Sequence, residues 1–233
     1  TGTNTATASG GGDPACNGTA TCTSTTPPVS VGASAIVTTP DSGTVGGVAG
    51  GTVESNIVAD DTIGGAPATL GGGGNARNPA NGTVKPDPVS PAWPAYSHLN
   101  TATGEVTVEP ASPAGTYPVK YELCEVANPT NCKVETVTVT ITPSITLAKA
   151  ASASSFTVGA PGQYYDITVT VASGPTSAAI VISDNLPTGI SLAAAPTKEA
   201  GSTSDGVLSG CPAAGSANLT GCQINTNASS GTI

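Results

Sequence analysis

Apolar and polar residues alternate with a period of two along much of the chain, which is the pattern of strands with one buried face. The most regular segments are residues 116–124 (TYPVKYELC), 132–142 (CKVETVTVTIT) and 163–172 (QYYDITVTVA). The first two predict a β-hairpin, and the apolar positions Val137, Val139 and Ile141 predict the core face of its second arm. No helix of useful length is indicated. The pattern therefore predicts an all-β protein.

Shorter strands are expected between turn signals rich in Gly, Pro, Asn and Asp. Residues 31–37 and 105–109 predict strands, whereas residues 38–43 (TTPDSG) predict a turn. Pro86 and Pro88 restrict residues 83–90 to an edge strand or a polyproline segment, because proline donates no ladder hydrogen bond. Residues 197–227 are small, polar and Gly-rich. Many short strands of this kind are typical of immunoglobulin-like β-sandwiches, and 233 residues suit two of them.

The first thirty residues have the pattern of the end of a domain rather than of its beginning. A last strand is predicted from the alternation of Thr3, Asn4, Thr5, Ala6, Thr7 and Ala8. A small cysteine loop follows, and Pro27-Pro28 ends the segment. The domain that this segment would complete begins near Ile145 and breaks off at Ile233.

Composition narrows the class of protein further. Charged residues make up 9% of the chain, against about 25% in an average soluble protein. Methionine is absent and there is one Phe, so the cores must be thin. A net charge of −9 disfavours nucleic acid as a partner, because binding to phosphates needs a basic surface. No apolar run is long enough for a membrane span, and no signal peptide begins at Thr1, so the chain resembles one already processed or excised from a longer chain.

Six cysteines fall into three close pairs along the sequence. Local spacing favours the disulfides Cys16–Cys22, Cys124–Cys132 and Cys211–Cys222 among the possible pairings. A metal site is the alternative, but no pair has the CxxC spacing and the single histidine, His98, is distant from all of them in sequence. Disulfides predict an oxidising environment, and hence an extracellular or cell-surface location.

Five motifs mark the first predicted domain: NIVADDT (residues 56–62), GGAPATL (64–70), AGTY (114–117), YELC (121–124) and NPTNC (128–132). On these motifs, residues 33–142 resemble the Ig-like, cadherin-like modules that occur in tandem in large bacterial surface proteins. Three further motifs are FTVG (156–159), YDITVT (165–170) and DNLPTG (184–189). On these, residues 145–233 resemble the conserved-repeat Ig-like domain that often follows such modules. The resemblance implies a fold and a setting, and no catalysis.

In the second family the domain typically closes with a stretch of the form NTATVSGGGDP followed by a cysteine. The matching stretch here is residues 4–14, at the opposite end of the chain. The resemblance therefore implies two Ig-like sandwiches, at residues 31–143 and 144–233, of which the second is incomplete. Residues 1–30 would supply its closing strand.

Three arrangements could restore the missing strand. In the first, residues 1–30 of one subunit complete the second sandwich of a neighbouring subunit, which gives a head-to-tail homopolymer. In the second, the chain is one unit of a long covalent series of repeats. In the third, residues 1–30 fold back within their own chain. A truncated chain is the remaining explanation.

Candidate binding sites are few. Asp60 and Asp61, with Glu54, could hold calcium, although a solvated turn explains them as well. Trp93, Tyr96 and His98 could form a contact surface for a sugar or a partner, with burial of Trp93 in the core as the alternative. Lys149 could also form an isopeptide crosslink with Asp184 or Asn185. Glycosylation is open at the N-x-[ST] sequences of Asn17, Asn81, Asn218 and Asn227.

The leading hypothesis is a structural subunit of an extracellular, pilus-like filament assembled by β-strand complementation. Its main partner would be another copy of the chain. No enzyme activity, cofactor or nucleic-acid partner is expected, because the sequence has one histidine and no catalytic or metal motif. The alternative is an adhesive module in a long repetitive surface protein, which would bind a host or a neighbouring cell.

Overall fold

The computed structural model describes residues 5–8, 22–25, 32–71, 79–89 and 91–233. These residues form strands, turns and irregular connections, and no helix occurs among them. It follows that the described segments include no helix suited to crossing a membrane. Two separate hydrophobic cores organise the strands into two sandwiches. The all-β, immunoglobulin-like class predicted from the alternation is confirmed.

An N-terminal hairpin and the first sandwich contain the strands β1 to β12. In chain order these are β1 (Thr5–Ala8), β2 (Cys22–Thr25), β3 (Ile36–Val37), β4 (Asp41–Gly46), β5 (Gly51–Glu54), β6 (Thr62–Ile63), β7 (Ala66–Pro67), β8 (Gly82–Pro86), β9 (Ser97–Leu99), β10 (Val106–Val108), β11 (Gly115–Glu125) and β12 (Asn128–Thr142). The sheet orders are β1-β2, β4-β12-β11-β8, β5-β10-β9 and β3-β6-β7.

The long β11–β12 hairpin forms the centre of the first sandwich. Its strands pair antiparallel, with Val119 opposite Val137 and Tyr117 opposite Val139. Val119, Val137 and Val139 are buried, whereas Val134 on the other face of β12 is exposed. Directly opposed residues share a face of the sheet, so these pairs place one apolar face against β5 and β10. The predicted hairpin and its core face are both confirmed.

The second sandwich contains the strands β13 to β18. These are β13 (Ser144–Ala151), β14 (Tyr165–Ala172), β15 (Ile180–Asn185), β16 (Leu208–Ser209), β17 (Asn218–Ile224) and β18 (Gly231–Thr232). One sheet has the order β13-β14-β18 and the other the order β15-β17-β16. Its core is small and is formed by buried residues of both sheets and of the turn before β18: Val169, Ile182, Leu219, Cys222, Ile224 and Ala228.

The two sandwiches are joined closely. β12 ends at Thr142 and β13 begins at Ser144, so that Pro143 is the single residue between strands of the two cores. The backbone N–H of Ala114 in the first sandwich donates to the carbonyl oxygen of Ser173 in the second, at 3.1 Å. The connection is therefore a short, hydrogen-bonded junction rather than a long linker.

The turn predicted at residues 38–43 is wrong beyond Pro40. Residues Asp41–Gly46 form β4, which runs parallel to β12 with Asp41 beside Val137. A Cβ atom at Gly43 would collide with the carbonyl oxygen of Val53, so the glycine allows two strands to approach closely. The glycine that suggested a turn serves this close approach instead.

Residues 197–227 contain a central strand, β17, that the sequence pattern does not reveal. Leu219, Cys222 and Ile224 all point into the core, although Leu219 and Cys222 are three positions apart. Gly221, with φ 75°, lies between them, and the pairing of β15 with β17 shifts at a bulge in the same region. Because a bulge breaks the period of two, simple alternation misses this strand.

Two disulfides lie in the described part of the chain. Cys124–Cys132 joins register partners at the tip of the β11–β12 hairpin. Cys211–Cys222 ties β17 to the segment that follows β16. The third expected pair, Cys16 with Cys22, includes Cys16, which is outside the described residues.

We expect Leu123→Ala to destabilise the first sandwich strongly. Leu123 is fully buried in β11, and removing such a side chain costs about 2–5 kcal/mol. Val134→Ala on β12 is the matched control, because Val134 is 42% exposed and its loss should change stability by less than about 0.5 kcal/mol. Denaturant unfolding measures both variants. Similar losses for the two would contradict the assignment of the faces.

Candidate subunit interface

One face of β13 is apolar but uncovered. In the pairing of β13 with β14, Ile145 is opposite Val171 and Leu147 is opposite Val169. Opposed residues project from the same face, and Val169 and Val171 are 1% and 2% exposed. Ile145 and Leu147, on that same inward face, are nevertheless 46% and 64% exposed. Among the described residues, therefore, no second layer covers this part of β13.

The other end of β13 is held to the opposite sheet. The Nζ atom of Lys149 lies 2.6 Å from Oδ2 of Asp184 in β15. The same Nζ atom lies 4.3 Å from the ring centroid of Tyr165, as in a cation–π contact. Of the two partners suggested for Lys149 by the sequence, Asp184 is the one it contacts, with the geometry of an ion pair. The two sheets are thus in contact at Lys149, whereas the side chain of Leu147 is left exposed.

The strand opposite β13 has a free edge. β17 pairs with one side of β15, and no other described strand pairs with its second side. Val181 in β15 is 59% exposed. A free edge beside an uncovered apolar face is a site at which further strands could pair.

The strand order of the second sandwich can be compared with that of an immunoglobulin sandwich. An immunoglobulin sandwich pairs strands A, B and E in one sheet and strands C, F and G in the other. β13, β14 and β15 take the places of A, B and C, and β18 pairs with β14 as strand E pairs with strand B. β16 and β17, which lie on the other side of β15, precede β18 in the chain, so the free edge of β15 is the side on which such a sandwich would carry strands F and G.

The N-terminal hairpin has the opposite property, since it has strands but no sheet to join. β1 and β2 pair from Thr5 opposite Thr25 to Ala8 opposite Cys22, and no other described strand pairs with either. A two-stranded hairpin alone is marginally stable in water. Thr3 and Asn4, which were also predicted in the joining strand, are outside the described residues. The described pairing gives no support to completion of the second sandwich within the same chain.

One edge of the first sandwich is better protected. β8 forms one edge of the four-stranded sheet and ends in Lys85 and Pro86. Lys85 pairs with Glu122 at 2.8 Å. Lysine and proline at a sheet edge discourage the addition of another strand. In contrast, β15 has neither residue, and its single charge, Asp184, is paired with Lys149.

The predicted contact surface in the first sandwich is only partly on the outside. Trp93 packs against the core, and its indole N–H donates to the carbonyl oxygen of Lys120 at 2.7 Å. Tyr96 also packs there, with its ring edge-on to Tyr117 at a centroid distance of 5.7 Å. His98 is exposed, with Nε2 2.8 Å from Oε1 of Glu109. The two large rings therefore stabilise the core, and His98 is the member that faces solvent.

The calcium candidate contains one buried carboxylate. Asp60 is exposed, whereas Asp61 is 1% exposed. Asp61 accepts hydrogen bonds from the backbone N–H of Thr39 at 2.9 Å and from the hydroxyl of Tyr121 at 3.1 Å. Protein donors thus occupy both carboxylate oxygens of Asp61, which serve the fold rather than an open metal site.

Burial also changes the pKa of Asp61 and of the nearby Asp41. Desolvation, with repulsion from Asp60, Asp61 and Glu54, raises the pKa of Asp41 to about 7. Burial likewise raises the pKa of Asp61. Both carboxyl groups therefore bind a proton more tightly in the folded first sandwich than in the unfolded chain.

One group of potential metal ligands occurs among the described residues. Glu122, Cys124 and Cys132 offer ligand atoms within 4.8 Å of one another. Both sulfur atoms belong to the disulfide, and Glu122 is paired with Lys85. The group therefore provides no thiolate for a metal ion.

The sequence named a joining strand but did not single out Ile145, Leu147 or β15 as its receptor. The alternation of Ile145 and Leu147 marks an apolar face of a strand. The missing layer above it becomes visible only from the strand order and from the exposed fractions of the two side chains.

Comparison with known proteins gives only distant structural matches. No family model matches the chain, and no curated protein matches it. Among solved structures, the Protocadherin GammaB4 extracellular domain matches with a TM-score of 0.37 and 12% identity, covering 89% of this chain and 29% of that one. Protocadherin Gamma B7 extracellular cadherin domains 1–4 match with a TM-score of 0.36 and 14% identity, covering 98% of this chain and 50% of that one. The chain thus spans half or less of these structures.

We expect the first sandwich to be more stable at pH 5 than at pH 8. A carboxyl whose pKa is raised on folding binds its proton more tightly in the folded state. The stability it contributes is complete below its unfolded pKa of 3.8 and is lost as the pH rises through about 7. Glu125 does not oppose this trend, because its pKa is lowered from 4.5 and it titrates below the window.

Thermal unfolding between pH 5 and pH 8 measures this effect. Asp41→Asn should flatten the pH dependence, whereas Asp166→Asn on an exposed position of the second sandwich should leave it unchanged. A melting temperature that rises from pH 5 to pH 8 in the native chain would contradict the expectation.

Proposed function

We propose that the protein is a structural subunit of an extracellular filament, assembled head-to-tail by β-strand complementation. The observation that carries the proposal is the presence of two unpartnered elements in one chain. One is the hairpin β1–β2, which joins no other described sheet. The other is the second sandwich, with Ile145 and Leu147 exposed on its inward face.

Each of these two elements supplies what the other lacks. The free edge offers backbone donors and acceptors, and the inward face offers apolar surface that is costly to leave in water. A donor from a second copy would satisfy both. Because donor and acceptor are different surfaces, the contact is heterologous and repeats without closing, which makes a fibre.

The location follows from the chemistry of the cysteines. Two disulfides, Cys124–Cys132 and Cys211–Cys222, support an oxidising environment outside the cytoplasm. A fibre outside the cell, with the chain itself as principal partner, is consistent with this environment. A long covalent series of repeats would bring the same two elements together. The mass of the denatured chain distinguishes such a series from a fibre of separate subunits.

An adhesive module is the second candidate function. His98 is exposed beside the half-buried Tyr96, and its side chain is 52% exposed. An exposed polar group next to aromatic surface is suited to contacting a partner or a glycan. This role could coexist with assembly, because it uses the first sandwich rather than the second.

Removal of residues 1–30 should abolish assembly while both sandwiches stay folded. The native chain is expected to form filaments in negative-stain electron microscopy, and the shortened chain to remain monomeric with an unchanged circular dichroism spectrum. Filaments that form without residues 1–30 would contradict strand complementation by this segment.

A mass measurement distinguishes a fibre of subunits from a covalent series of repeats. Filaments isolated from their source and then denatured and reduced should give a chain close to the calculated 22.2 kDa. A mass several times larger would replace the non-covalent fibre with a repetitive chain.

The adhesive role predicts that His98→Ala weakens binding to cells or glycans without affecting assembly. His98 makes an exposed polar contact with Glu109, whose loss should cost less than about 1 kcal/mol of stability. Glu199→Ala, on an exposed position of the second sandwich, is the control. Equal binding by the two variants would remove this surface from consideration.

A further inference from the structure

We propose that the acceptor is the free edge of β15 together with the inward face of β13, and that its occupant is the β1–β2 hairpin of a second copy. This inference rests on the proposed function and specifies the surface through which it acts. The hairpin would lie beside β15, in the places of strands F and G, and would cover Ile145 and Leu147.

Exposed apolar surface lies on the face of β13 that the hairpin would cover. Leu147 is 64% exposed although its register partner Val169 is 1% exposed and lies in the core. Ile145 shows the same contrast with Val171. Two neighbouring residues on an inward face are thus left in contact with water. A strand added beside β15 would bury them, since the Lys149–Asp184 contact places β15 opposite β13.

The number of strands beside β15 also fits a hairpin. In an immunoglobulin sandwich strands F and G come after strand E in the chain and join the sheet of strand C, whereas β16 and β17, which already share the sheet of β15, come before β18 in the place of strand E. The described part of the second sandwich has no strand on the other side of β15. The hairpin β1–β2 contributes two paired strands, so a single hairpin would fill both places.

The hairpin and the edge of β15 are also chemically compatible. The described strands of the hairpin, TATA and CTST, have no charged residue. Along β15, the charge of Asp184 is neutralised by Lys149. An uncharged hairpin can therefore approach this edge without burying an unpaired charge. The edge at β8 is less suitable, because Lys85 and Pro86 lie there.

The proposal is tested with a variant that can donate but not accept. Leu147→Lys places a charge on the inward face of β13 at an exposed position, so the monomer should still fold. Burying that charge beneath a donor hairpin should raise the concentration needed for assembly by at least about tenfold. Added to the native chain in small amounts, this variant should cap growing filaments and shorten them.

A matched control is available in the same sandwich. Val207 is 60% exposed, close to the value for Leu147, and it precedes β16 at the opposite edge of the sheet from β15. Val207→Lys should assemble at the native concentration and enter filaments without shortening them. The chain without residues 1–30 can accept but not donate, so mixing it with Leu147→Lys should give one-to-one dimers and no filaments.

Hydrogen exchange provides a measurement on the native chain. Backbone amides of β15 that face its free edge should exchange at least about tenfold more slowly in filaments than in monomers. Amides at the outer edge of β8 should be unchanged. These exchange rates test the proposed acceptor even if Leu147→Lys fails to fold.

The outcomes separate the two proposals. Filaments that form normally from Leu147→Lys, or that leave β15 unprotected, would overturn the acceptor and leave the filament function standing. Absence of filaments from the native chain would overturn the function itself. Protection of β15 already present in monomers would assign the edge to a segment of the same chain, which would also overturn the acceptor for a second copy.

Discussion

The structure depends on one requirement: an apolar sheet face must be covered by a second layer. In the first sandwich the requirement is met, because the inward faces of β11 and β12 lie against β10 and its neighbours. In the second it is met around Val169 and Ile182, but not over Ile145 and Leu147. This difference accounts for the rest of the arrangement, in which the β1–β2 hairpin pairs with no other described strand.

Small side chains make that requirement more demanding. The chain has one Trp, one Phe and five Tyr, so each core contains mainly valine, isoleucine and leucine. Tyr121 is the exception, since it is fully buried and its hydroxyl lies 3.0 Å from the carbonyl oxygen of Ile57 and 3.1 Å from Oδ2 of Asp61. Thin cores leave little surplus stability, and the two described disulfides compensate by restricting the unfolded chain.

The sequence predicted strands where alternation was unbroken and failed where the backbone departed from it. The β11–β12 hairpin and β14 follow a strict period of two, which a buried face requires. β4 was missed because its glycine serves close approach to Val53, and β17 because a bulge at Gly221 breaks the period. The residues of the candidate interface also fall into two kinds. The joining strand followed from local pattern, whereas the exposure of Leu147 depends on which strands lie above it, and this is a property of the fold.

The single residue between β12 and β13 has a mechanical consequence. A pulling force that travels along the chain passes from β12 through Pro143 directly into β13. β13 is paired with β14 along its whole length, from Ser144 opposite Ala172 to Ala151 opposite Tyr165. Tension along such a strand loads its hydrogen bonds together in shear, rather than opening them one after another. The junction thus distributes tension over a whole strand and leaves no slack segment to extend first.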